Sequence, residues 1–294
     1  MDIIKRLIPR ELILSYRSLR PLYNKAIRKN MKRRESISML NLHLADHCNL
    51  NCKGCDNFSP LSPKVLADIN VLHRDLERLS TLPGSNIESI HLLGGEPLLH
   101  PQVSQIIELV KKYFPKAEVQ LISNGVLLAR QSEDFWQACK THDVKIIVTK
   151  YPIKVDHNAM ENLAHSHGVK FDFYGSTRSV EKNMRCVPLD IEGRQDIRES
   201  FLLCDRANRC ISLEQGRLYT CTLIPYVKYF NSQFNHNLEV SEEDSIDIYK
   251  VKDFNEILDF LCRPVPFCRF CNQKGIIQNI GYGVSKKAIS EWIG

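Results

Sequence analysis

The chain has 294 residues, of which 43% are hydrophobic and 25% charged. These values exclude a wholly disordered, collagen-like or fibrous protein and favour one large α/β domain with smaller additions. Lys and Arg number 40 against 34 Asp and Glu, a net +6, and much of the excess lies between Arg10 and Arg34. No run approaches the roughly 18 apolar residues of a membrane span. Met1 to Leu14 is broken by Lys5, Arg6, Arg10 and Glu11, so it lacks the apolar core of a signal peptide. A cytoplasmic protein is expected, and in that compartment thiols stay reduced. Eleven cysteines therefore point to metal ligation, not disulfides.

In chain order, Ile13, Leu14, Leu19, Leu22, Tyr23 and Ile27 alternate with basic residues and predict one or two amphipathic helices within residues 1–37. They read as a solvated extension packed on the main domain, and scattered basic residues without a recognisable fold predict no nucleic-acid partner. Short apolar runs then predict strands at Met39 to Ala45, Ile87 to Leu93, Glu118 to Ser123, Val144 to Thr149 and Val169 to Tyr174. Three-to-four-residue spacing predicts helices at Lys64 to Leu79, Pro101 to Phe114, Ser132 to Thr141 and Asp156 to His165. This alternation is the signature of βα units on a parallel sheet. Gly175 to Ser200 shows no clear sixth strand and reads as a connection into the last third.

The cysteines fall into two regions. Cys48, Cys52 and Cys55 follow directly on the first strand, so three thiolates project from one loop at the carboxyl end of a barrel-type sheet, where such folds place chemistry. Three thiolates suit three corners of a 4Fe-4S cube with the fourth iron open; the alternative is a zinc knuckle completed by His47 or a distant cysteine. In the last third, Gly216 between Leu213 and Leu218 predicts a hairpin that brings Cys204 or Cys210 near Cys221. A returning Cys268-Arg-Phe-Cys271 loop completes four ligands. By spacing alone those four equally suit zinc. Cys139 and Cys186 stand apart, and Cys262 is spare.

The second predicted strand runs into Gly94-Gly95-Glu96-Pro97 and the third ends in Ser123-Asn124-Gly125. With the Cys-x3-Cys-x2-Cys loop ahead of them, the chain resembles the radical S-adenosylmethionine (SAM) superfamily. The resemblance implies a partial (β/α)6 TIM-type barrel over residues 38–200, a 4Fe-4S cluster on Cys48, Cys52 and Cys55, and SAM chelating the open iron. It implies SAM contacts at Gly94, Gly95, Glu96, Pro97, Ser123, Asn124 and Thr149. Glycines let backbone approach the methionyl group, and Glu96 accepts from its ammonium. Many members carry an aromatic before the third cysteine; here that place is Gly54, which leaves the adenine to another wall such as Phe58.

The last third, residues 201–294, resembles the twitch domain, a shortened SPASM domain with one auxiliary 4Fe-4S cluster. The resemblance implies Cys204, Cys221, Cys268 and Cys271 as its ligands, with Cys210 as the alternative to Cys204. Twitch-bearing relatives include 2-deoxy-scyllo-inosamine dehydrogenase and aminoglycoside epimerases. They imply hydrogen abstraction from a sugar or aminocyclitol, giving oxidation or epimerisation, with a flavodoxin- or ferredoxin-type electron donor. A peptide-modifying enzyme is the alternative, disfavoured by the short helical segment before Met39. A zinc-stabilised nucleic-acid-binding protein leaves the βα alternation and Gly94 to Pro97 unexplained. Candidate substrate groups are His43, His47, Asp56, Lys150, Arg178 and Arg185, of which Lys150 and Arg185 are preferred as catalytic, with Tyr151-Pro152 at the pocket rim. Cys210, Cys262, Cys186 or Cys139 is the candidate hydrogen donor for an epimerase, with Cys210 preferred.

Overall fold

The computed structural model describes residues 28–174 and 184–293, together with Leu19, Tyr23, Lys25 and Ala26. Most of the expected N-terminal helices, and Arg178, lie outside the described residues. Among the described residues no helix is long and apolar enough to cross a membrane.

Five parallel strands form where the apolar runs predict them: β1 (Leu40–Ala45), β2 (Ser89–Gly94), β3 (Glu118–Ser123), β4 (Lys145–Val148) and β5 (Lys170–Phe173). Parallel strands need crossovers, and helices supply them: α1 (Ile69–Thr81), α2 (Val103–Tyr113), α3 (Glu133–Thr141) and α4 (His157–Ser166). The first helix starts at Ile69, not Lys64. Asp68 caps it by accepting from the Asn70 N–H, while Ala67 donates to Leu44 and Asp46 to Val65, so the preceding residues hold the end of β1 instead of coiling. Leu40, Leu42 and Leu44 of β1 pack with Leu76, Ile106, Ile107, Phe135 and Ile146 in the main core. Each such fully buried aliphatic side chain contributes roughly 1.5–3 kcal/mol.

After β5 the chain leaves this sheet. β6 (Met184–Cys186) pairs with the late strand β10 (Ile277–Ile280) in a separate antiparallel ribbon. Past α5 (Ile197–Leu203), strand β7 (Ile211–Glu214) joins the opposite edge of the main sheet, parallel to β1, with Leu40 facing Ile211 and Leu42 facing Leu213. The sixth parallel strand thus lies beside the first, not beyond the fifth. The expected hairpin follows: Gln215 and Gly216 both take positive φ, 48° and 75°, and lead into β8 (Arg217–Tyr219) and then β9 (Ser245–Asp247). The strand order is β5-β4-β3-β2-β1-β7-β8-β9, an α/β sheet of partial-barrel type with edges at β5 and β9.

A second core collects Phe58 with Tyr226, Phe230, Phe267, Phe270 and Trp292. It joins α6 (Leu223–Phe234) to residues 265–271 and to α8 (Ser290–Ile293), while α7 (Phe254–Leu261) packs in the main core. Asn30 ties the first described stretch to this region: its buried amide donates to the carbonyls of Phe201 and Cys204 at 2.8 and 2.5 Å.

Candidate metal centres and cofactor site

The first cysteine loop is held from three sides. At the end of β2, the Gly95 N–H donates to the Ala45 carbonyl at 2.7 Å and the Glu96 N–H to His47 at 3.2 Å. A Cβ on Gly94 would stand 2.3 Å from the Ala45 oxygen, and one on Gly95 would stand 2.2 Å from the His47 oxygen. The two glycines are therefore required by the close approach of the β2 end to the chain entering the cysteine loop.

From the second side, residues 281–293 fold over the loop. Lys53 donates to Gly283 at 2.7 Å, Ser285 to Asn51 at 2.8 Å, and the Trp292 indole to the Cys55 carbonyl at 3.0 Å. Gly54 sits at φ +60°, and a Cβ there would meet the Glu291 oxygen at 2.9 Å, so this segment takes the room an aromatic would need. Phe58 offers no adenine wall. It is fully buried in the second core, with ring centroids 6.0 Å from Phe230 and 6.2 Å from Trp292. The aromatics beside the thiols are Tyr151 and Tyr282, edge to face at 5.4 Å and both in the field of Cys48 and Cys52. Tyr282 carried no sequence signal, because nothing local brings it back across more than two hundred residues.

On the third side stand the ends of β2 and β3. Glu96 is fully buried and accepts from the Ser123 hydroxyl (2.7 Å), the Asn124 N–H (2.9 Å) and the Leu98 N–H (3.1 Å). Burial, only partly offset by these bonds, pushes its pKa up to about 7. Of roughly four acceptor positions on a carboxylate, these bonds fill three. Asn124 reaches the loop itself, donating to Asn49 at 2.7 Å and to the Cys48 sulfur at 3.8 Å. Thr149 donates its N–H to Ser123, one strand further from the cysteines.

The thiols suit a cluster. The Leu50 N–H points at the Cys48 sulfur from 3.4 Å, and Cys48 lies in the field of both Cys52 and Cys55. Burial pushes the Cys48 thiol up to about 12, with Glu96 and the other two thiols adding to the shift. A bound cationic iron centre displaces such protons. Among the described residues no three Cys, His, Asp or Glu side chains converge tightly enough to grip a single ion.

In the last third, Cys204, Cys221, Cys268 and Cys271 all lie within electrostatic range of one another, and Cys210 lies in the field of Cys204. Backbone N–H groups of Arg206 and Ala207 point at the Cys204 sulfur from 3.4 Å each, and those of Leu223 and Ile224, at the start of α6, serve Cys221. Burial pushes the Cys221 thiol up to about 12 and Cys210 up to about 11. Of the remaining cysteines, Cys139 is wholly buried in the main core, Cys186 faces the Glu291 carbonyl, and Cys262 faces that of Asp259.

Several expected substrate groups are already engaged. Arg185 grips Asp205 through both terminal nitrogens at 2.5 Å, beside Cys204. Lys150 stands over the Phe173 ring, 3.8 Å from its centroid. His43 is buried and stacked on Tyr226 at 4.0 Å, with Nδ1 3.9 Å from Asp46, which accepts from the Tyr229 hydroxyl. Asp56, immediately after Cys55, pairs with Arg206 at 2.5 Å and so joins the two cysteine regions.

Comparison with known proteins agrees with this site. Residues 39–169 match the 4Fe-4S single cluster domain family. Molybdenum cofactor biosynthesis protein 1 of Bos taurus is 24% identical over 212 residues, 71% of this chain and 32% of that protein. The GTP 3',8-cyclase of Syntrophomonas wolfei is 30% identical over 109 residues, 35% of this chain and 32% of that enzyme. The match thus spans about a third of the length of these curated relatives. Among solved structures, BtrN in complex with AdoMet and 2-DOIA shares the fold, with a TM-score of 0.50 at 18% identity over 80% of this chain and 93% of that one. The stretch that matches the 4Fe-4S family holds the cysteine loop, the buried Glu96 and the strand ends arranged around it, so the match and the geometry of this site coincide.

Proposed function

We propose that this chain is a radical SAM enzyme that oxidises a small polar substrate of the sugar or aminocyclitol class at carbon, and that residues 201–294 form an auxiliary-cluster domain of the twitch type. The observation that carries this reading is the gathering of Cys204, Cys221, Cys268 and Cys271, joined to the Cys55 end of the first loop through Arg206 and Asp56. In this proposal Cys48, Cys52 and Cys55 hold the first cluster and the other four hold the second. When bound, the first centre and SAM supply a 5'-deoxyadenosyl radical and the second supplies an acceptor for the electron that oxidation releases. The ligand named for BtrN, 2-DOIA, is an example of the substrate class.

The chain's own part is placement. Glu96, Ser123 and Asn124 fix the strand ends, while Tyr151, Tyr282 and residues 281–293 pack against the first loop. Lys150 is the strand-end cation nearest in sequence to Tyr151 and is our candidate for substrate orientation. Epimerisation is the second reading, favoured by one observation: Cys210 lies beside the second group without belonging to it, a thiol left over as hydrogen donor.

The test has two stages. Iron and sulfide are counted after anaerobic reconstitution, then the enzyme is turned over with SAM, a reductant and aminocyclitols in deuterated water. About eight irons per chain and a carbonyl product are expected. An epimer carrying one deuterium selects the second reading, and zinc without iron sinks both.

A further inference from the structure

Arg206 occupies an unusual place. It follows Cys204 by two residues, its side chain is only 15% exposed, and Nη2 donates to Asp56 at 2.5 Å. Its Nη1 is buried and has no hydrogen-bond partner among the described residues. A buried donor left unpaired costs about 1–3 kcal/mol, and the ordinary remedy, a neighbouring carboxylate, is already committed: Asp205 is held by both terminal nitrogens of Arg185. The guanidinium also acts on Cys204, Cys210, Cys221 and Cys271 at once. Its other attachment, Asp56, belongs to the first cysteine loop. One permanent positive charge is therefore fixed between the two regions, with a spare N–H on hand.

We propose that Arg206 is a positioning residue that balances charge at the second centre and raises its reduction potential. The inference rests on the reading that Cys204, Cys221, Cys268 and Cys271 hold a cluster. One-electron reduction adds one negative charge there, and a fixed cation in a poorly solvated site stabilises that form over the oxidised one. Arginine suits the task because it stays charged when buried and keeps a second N–H after binding a carboxylate. Asp56 opposes the effect, and because it adjoins Cys55 its charge is felt by both centres.

The experiment is an EPR-monitored redox titration of the reconstituted full chain with dithionite, the two signals being assigned with the Cys48, Cys52, Cys55 to Ala variant. Arg206→Met should lower the potential of the second centre at least tenfold in its one-electron equilibrium, or 59 mV. Arg206→Lys, which keeps the charge, should recover more than half of that loss. Asp56→Asn should move the second potential upward and carry the first with it. If Arg206→Met does not retain its second cluster, the sign of the Asp56→Asn shift decides. About eight irons per chain with potentials unmoved in the variants overturns this inference alone. About four irons in the wild type overturns it together with the reading beneath it.

Discussion

The two cysteine groups are assembled in opposite ways. Cys48, Cys52 and Cys55 come from eight consecutive residues on one loop, and their neighbours Glu96, Ser123 and Asn124 come from the ends of two adjacent parallel strands. The second group is collected from the end of α5, the start of α6 and the turn before β10, and it exists only when the C-terminal core around Tyr226, Phe267 and Trp292 has formed. A local loop on a regular sheet is specified by short-range pattern. A group drawn from distant segments is specified by packing. The first should tolerate loss of the second group's thiols so long as residues 281–293 still pack on its loop and the Asp56–Arg206 pair still ties the two regions.

The sharpest way to break this comparison is to remove one group at a time. Replacing Cys48, Cys52 and Cys55 by Ala should abolish SAM cleavage outright and lower iron from about eight to about four per chain. Replacing Cys204, Cys221, Cys268 and Cys271 should lower iron by the same amount but leave SAM cleavage in the absence of substrate measurable as 5'-deoxyadenosine. Loss of all iron in the second variant would show the two regions to be one cooperative unit.

Next in size is Gly95→Ala. Its Cβ would stand 2.2 Å from the His47 oxygen and 2.8 Å from that of Asp46, backbone atoms that cannot turn aside. Separating β2 from the cysteine loop should cost roughly 1–3 kcal/mol and reduce occupancy of the first cluster while sparing the second, read by thermal denaturation and by the two EPR signals.

Glu96 sharpens the comparison by pH. Its pKa is raised to about 7 from an ordinary 4.5, chiefly by burial, so its contribution to the stability of the protein without SAM is fully present below about pH 4.5 and is lost as pH rises through 7. SAM binding has the opposite sense, since an ammonium is held by the ionised form. Affinity measured by equilibrium dialysis should rise between pH 6 and 8 and then level. Glu96→Gln should flatten that profile and weaken SAM about tenfold or more, a charge-assisted bond being worth roughly 1.5–3 kcal/mol. It also sets an amide N–H2 against the Asn124 N–H, which lowers stability at every pH.

Strands β1 to β5 were legible because each is a short apolar run between helix patterns, and the first cysteine loop because its spacing is local. Three features were not. The sixth parallel strand is β7, beyond the polar stretch where a sixth strand was sought, and its partner β1 lies some 170 residues earlier. The role of Gly94 and Gly95 depends on the path of residues 45–47, which no spacing reveals. Arg185 and Asp56 read as free strand-end charges because their partners, Asp205 and Arg206, sit in a cysteine loop whose place in the fold is fixed only by tertiary packing.

The smallest effect should come from a cysteine that belongs to neither group. Cys139 lies on α3 within the main core, fully buried, and burial alone pushes its thiol up to about 12, so it is neither a ready thiolate nor near another thiol. It behaves as a small hydrophobe. Cys139→Ala removes one sulfur from a packed interior and should lower stability by about 1 kcal/mol, or 2–4 °C in the unfolding midpoint for a chain of this size. Iron content, both EPR signals and SAM cleavage should match the wild type. Any fall in iron would mean that the first region's core, and not only its loop, is drawn into cluster binding, and the contrast between local and collected ligands would fail at its simpler end.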